Sequence, residues 1–126
     1  MIESAYMNSK RNKNNLDSML KFSSIMEANN IYIIDMMNGI DKNVSIEMTN
    51  ATQKTIQLIN LPEANDNILT ITIMLKTTDV PNIVYFPGII WRNNAPPLHL
   101  VGKTYFEAFI SYDGGVTWNG FSAGAW

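Results

Sequence analysis

The acid–base groups of this chain are one histidine, His99, and eleven carboxylates. Two of the carboxylates, Glu107 and Asp113, lie in the aromatic-rich stretch near the end of the sequence. A glycosidase needs two carboxyl groups that face each other at a defined separation, and this is the pair the sequence offers. Each also has a simpler reading. Asp113 precedes Gly114-Gly115 and suits a turn, where an aspartate hydrogen-bonds its own backbone. Glu107 suits the solvent-facing side of a strand. His99 stands between Leu98 and Leu100, and no acid is its neighbour in sequence. A packed or surface histidine is therefore expected rather than a general base. There is no cysteine, which excludes a disulfide framework, a cysteine-ligated zinc and a thiol nucleophile. No phosphate loop, dinucleotide fingerprint, nucleophile elbow or zinc-helix pattern occurs. The expectation is a protein that is not an enzyme and holds no metal or cofactor.

Stacking is the other chemistry on offer. Residues 82 to 126 hold all three tryptophans, Trp91, Trp118 and Trp126, with Tyr105 and six other tyrosines and phenylalanines. Large aromatics are most often core and cross-strand packing. A surface of Trp91, Trp118, Trp126 and Tyr105 would instead stack on sugar rings or on a partner chain. Trp126, as the last residue, is expected to be either exposed or tucked into a sister subunit.

The elements that must carry these side chains are strands. Val44, Ile46 and Met48 alternate with polar neighbours. Leu69, Ile71, Ile73 and Leu75 do the same, and residues 105–112 repeat the pattern. A period of two with one apolar face implies antiparallel sheets. Further strands are expected at 31–35, 54–60, 82–86 and 116–121. About seven or eight short strands with turn residues between them predict an all-β, antiparallel β-sandwich, immunoglobulin-like or jelly-roll-like. Asn38-Gly39 and Asp113-Gly114-Gly115 are expected to close hairpins. Pro87-Gly88 and Pro96-Pro97 break strands. Residues 1–30 form a polar arm before the 31–126 domain. Within the arm Leu16, Met19 and Leu20 line one face of an amphipathic helix expected from about 15 to 28.

Composition limits the partners. A chain of 126 residues is one domain on length. Charged residues make up 16% and the net charge is −2, which argues against nucleic-acid binding through a basic stripe. Sixteen asparagines leave a polar but nearly neutral surface, and little charge keeps copies apart. No apolar run is long enough for a membrane helix, and residues 1–15 lack the apolar stretch of a signal peptide.

One ordered set of residues goes further. Phe86-Pro87, Trp91, Ala95-Pro96-Pro97-Leu98, Gly102-Lys103-Thr104, Asp113-Gly114-Gly115, Thr117-Trp118 and Gly120 follow one another. Upstream lie Ile34-Asp35, Leu58–Leu61 and Leu69–Leu75. This order, over residues 31 to 126, resembles a β-structured domain of tailed-bacteriophage tail-fibre and baseplate proteins. Such domains often carry Gly-Gly or Gly-Thr where this chain has Asn93-Asn94. The resemblance implies a virion structural protein of a tail tip, baseplate, collar or fibre, made in the host bacterial cytoplasm. It implies a homo-oligomer, a trimer before other states, in contact with other tail or baseplate proteins through the arm. The second expectation is a carbohydrate- or receptor-binding module that meets a host surface glycan through the exposed aromatics.

Overall fold

A computed structural model describes residues 22–37, 39–49, 52–62, 68–79 and 82–125. Leu16, Met19, Leu20 and Trp126 lie outside the described residues. Nine strands and no helix occur among those described: β1 (Ser23–Ile25), β2 (Ile31–Asp35), β3 (Asp41–Met48), β4 (Gln53–Ile59), β5 (Leu69–Thr77), β6 (Asn82–Val84), β7 (Ile89–Trp91), β8 (Lys103–Ser111) and β9 (Trp118–Ala125). The fold is all-β. All seven expected strands are present. The sequence reading missed β1 and β7, each only three residues long. β1 also corrects the helix expected over 15–28: Ser23–Ile25 is extended and pairs with Val44–Ile46 of β3.

The strands form a six-stranded sheet, ordered β1-β3-β5-β8-β9-β7, and a three-stranded sheet, ordered β2-β4-β6. From β1 to β6 each successive strand changes sheet. Strands two apart in sequence are therefore neighbours running in the same direction. The pairs β1–β3, β3–β5, β2–β4 and β4–β6 are all parallel. The antiparallel arrangement expected throughout holds only at β5–β8 and β8–β9. Parallel neighbours need a crossover, usually a helix that covers the sheet face. Here the crossover is a strand of the opposite sheet, so among the described residues no helix covers the outer faces and the period-two pattern survives. Asn38-Gly39 accordingly does not close a hairpin, because β2 and β3 belong to different sheets. Asp113-Gly114-Gly115 does lie between antiparallel neighbours, β8 and β9.

One core fills the space between the sheets. Tyr32, Ile34 and Ile56 face it from the smaller sheet. Val44, Ile46, Met48, Leu69, Ile71, Ile73 and Leu75 face it from β3 and β5. β5 shows the alternation most plainly, with Leu69, Ile71, Ile73, Leu75 and Thr77 buried. Each buried leucine or isoleucine contributes about 1.5–3 kcal/mol through area removed from water. The smaller sheet is half as wide as the larger one. The inner face over β8 and β9 is covered instead by the irregular chain around β7. Phe86 packs edge-on against Phe109 and Trp118, and Trp91 packs against Phe109.

Candidate functional site

Glu107 is the centre of the polar chemistry inside this core. It lies on β8 between Tyr105 and Phe109 and is fully buried. The sequence reading assigned it to solvent; both faces of β8 carry aromatics, and the buried one is the face of Tyr105, Glu107, Phe109 and Ser111. The Tyr85 hydroxyl donates to Glu107 Oε1 at 2.6 Å. His99 Nε2 lies 2.8 Å from Glu107 Oε2 and 3.3 Å from the Tyr85 hydroxyl. His99, which has no acid beside it in sequence, thus acquires one through the fold. Its ring meets Tyr105 edge-on at 4.7 Å, and the Tyr105 hydroxyl accepts the Leu100 amide at 2.5 Å. A register shift in the β8–β9 pairing falls between Tyr105 and Glu107, and such bulges re-aim side chains.

Burial, with the carboxylate of Glu107 beside it, pushes the Tyr85 hydroxyl far above the ordinary tyrosine range. The proton therefore stays on Tyr85 and on the hydrogen bond to Glu107. Both carboxylate oxygens have a partner, and the His99 side chain is almost wholly buried. Acid–base catalysis requires a group within reach of a substrate proton. This trio is closed on itself. What it does physically is pin the 85–102 segment across β8, at Tyr85 on one side and His99 on the other.

Asp113 is elsewhere. It is exposed at the β8–β9 connection, beyond Ser111, which itself lies roughly 13 Å along the strand from Glu107. Its Oδ1 accepts the Thr117 amide at 2.9 Å and the Ser111 hydroxyl at 2.8 Å. The Thr117 amide and then Ser111 hold this carboxyl below the ordinary aspartate range. Gly114 and Gly115 have φ of 72° and 93°, a region open to glycine at little cost. The fold therefore does not bring Glu107 and Asp113 into a facing pair. Asp113, Gly114 and Gly115 form the turn that their types suggested.

Trp118 is fully buried, and its indole donates to the Gly115 carbonyl at 3.0 Å. Tyr105 is buried beside His99. Trp91 is half-buried and packs edge-on against Tyr85 at 5.1 Å. None of these three rings lies flat on the surface. The sequence reading also passed over Lys54, a buried cation on β4. Lys54 is paired with Glu27 and donates to Asn30 Oδ1 at 2.7 Å. A lysine alternating with Ile56 and Leu58 on an inward face was the signal for it. Among the described residues no group of three or more histidines and carboxylates could hold a metal ion.

Six exposed apolar side chains lie in segments at the ends of strands, while Ile33, Ile90 and Phe121 are exposed within strands. Met37 and Ile40 lie between β2 and β3, Leu61 follows β4, Ile68 precedes β5, and Tyr112 and Val116 flank the β8–β9 turn. The pairings Asp41–Thr70, Leu69–Ser111 and Asp35–Ile59 bring these segments to one end of the molecule. Tyr112 and Val116 are 64% and 67% exposed. A second group, Leu98, Leu100 and Val101, is exposed on the 92–102 loop. No family model, curated protein or solved structure matches this chain.

Proposed function

We propose that this chain is a non-enzymatic structural protein of a tailed-bacteriophage virion, a tail-tip, baseplate, collar or fibre component that acts by assembly with copies of itself and with neighbouring tail subunits. A trimer is the favoured state, and of the 1–30 arm the docking role falls to the part before β1, since Ser23–Ile25 pairs within the larger sheet and Glu27 and Asn30 bond to Lys54. The ordered motif from Phe86 to Gly120 supports the phage reading. The observation that carries assembly is the apolar end formed by Met37, Ile40, Leu61, Ile68, Tyr112 and Val116. Scattered exposed apolar residues are ordinary on a monomer, whereas a gathered patch marks a contact surface. The closed Tyr85–His99–Glu107 trio supports a part that works by shape. Receptor or glycan binding is the second reading for Trp91 and for Trp126, which lies outside the described residues, since Trp118 and Tyr105 are occupied in the core.

The experiment places a charge on the end. Ile40→Lys with Val116→Lys is expected to keep the β-sheet circular dichroism of the parent, because both side chains are exposed in the single chain. The same variant is expected to be lost from purified tail particles. Normal incorporation of the double variant would contradict the reading.

A further inference from the structure

The smaller sheet is incomplete along one edge. β6 pairs with β4 only from Gln53–Asn82 to Thr55–Val84. Beyond Val84 the chain leaves the sheet, and among the described residues no strand pairs with Ile56–Ile59 of β4 on that side. The direction of the main-chain groups follows from the other side. The Thr55 amide donates to the Asn30 carbonyl, and the Ile59 carbonyl accepts from Met36. Thr55, Gln57 and Ile59 thus point their main-chain groups toward β2. Because these groups alternate along a strand, those of Ile56 and Leu58 point away from β2. The Ile56 carbonyl and the Leu58 amide and carbonyl then face the gap that β6 vacates.

That gap is a groove with a volume of about 470 Å3. Ile56 and Leu58 line one side, and Phe86, Trp118 and Gly115 the other, with Leu61 at the end. Among the described residues no charged side chain lines it. A Cβ at Gly115 would fall 2.8 Å from Leu61 Cδ2 and 3.4 Å from Trp118 Cζ2, so glycine keeps this wall thin. The open edge from Ile56 to Ile59 is roughly 10 Å long, the reach of about three extended residues. An edge with free amides and carbonyls is a template for another strand. An apolar wall beside it gives alternate side chains a pocket.

We propose that this groove takes an extended, uncharged peptide segment of a neighbouring subunit, which adds to β4 as a strand and places an apolar side chain against Leu58 and Leu61. The free main-chain groups select an extended polypeptide. The uncharged lining selects neutral residues, since an unpaired charge brought there would lose its water. The proposal rests on the assembly reading for the source of the strand, and on geometry alone for the site.

The probe is an end-blocked hexapeptide of alternating threonine and valine, titrated into the full chain and followed by amide NMR. The expected result is a saturable shift of the Trp118 indole signal and slower hydrogen exchange at the Leu58 amide. Leu58→Pro removes the amide that faces the groove without removing a bond to β2, and is expected to abolish both effects. Val84→Lys puts a charge on an exposed groove residue, and is expected to weaken binding about tenfold. It keeps the test valid if the proline variant does not fold. A peptide that leaves Leu58 and Trp118 unchanged, or binds both variants as well as the parent, would overturn the proposal. If the hexapeptide occupies the groove while the chain stays monomeric and absent from particles, the groove stands and the assembly reading fails. If the chain assembles with the Leu58 amide still exchanging freely, the reverse holds.

Discussion

Glu107 shows how one residue can carry a structural task that resembles a chemical one. A buried carboxylate is costly unless its lone pairs are met, and here Tyr85 and His99 meet them from a segment without regular structure. Removing one donor leaves the charge in place with fewer partners, which costs about 1–3 kcal/mol or more for a charged group. Tyr85→Phe is therefore expected to lower the stability by at least that amount in urea unfolding. Tyr112→Phe, at an exposed position, should stay within about 0.5 kcal/mol of the parent. Equal effects of the two substitutions would contradict the role given to Glu107. At this scale the sequence was partly legible. Asp113, Gly114 and Gly115 announced a turn through their own conformational preferences. The partners of His99 and Lys54 were not legible, because each lies across the fold, at Glu107 and Glu27.

The strands are the scale at which the sequence spoke most clearly, and also where it misled. Alternation located β3, β5 and β8 closely, since side-chain period depends only on which face is buried. Alternation carries no information about the direction of the neighbouring strand. The winding between two sheets produced parallel pairs that keep a solvated face, and these were read as antiparallel. β1 and β7 escaped because three residues show no period. The β8–β9 turn has a testable acid response. Asp113 is held below the ordinary aspartate range by the Thr117 amide and the Ser111 hydroxyl. A depressed folded-state value means that the ionised form is favoured by folding. Its stabilisation is present above the unfolded value near about 3.9 and is lost as pH falls through the lower folded value. Between about pH 5 and about pH 2 the parent should lose more stability than Asp113→Asn, measured by urea midpoints at each pH. Parallel losses in the two proteins would show that the turn hydrogen bonds do not bias the carboxyl.

At the scale of the whole molecule, three features support the proposed assembly. Among the described residues the one buried acid is fully partnered, and Met37, Ile40, Leu61, Ile68, Tyr112 and Val116 are exposed toward one end of the strands. A net charge of −2 offers little repulsion between copies. Symmetric closed assemblies are the usual outcome when one surface is self-complementary. The direct measurement is the mass of the intact chain in solution by multi-angle light scattering across the micromolar range. The account predicts about 43 kDa, three times the 14.2 kDa of one chain, falling toward one chain when Ile40 and Val116 are replaced by lysine. A mass of 14.2 kDa at every concentration would contradict it.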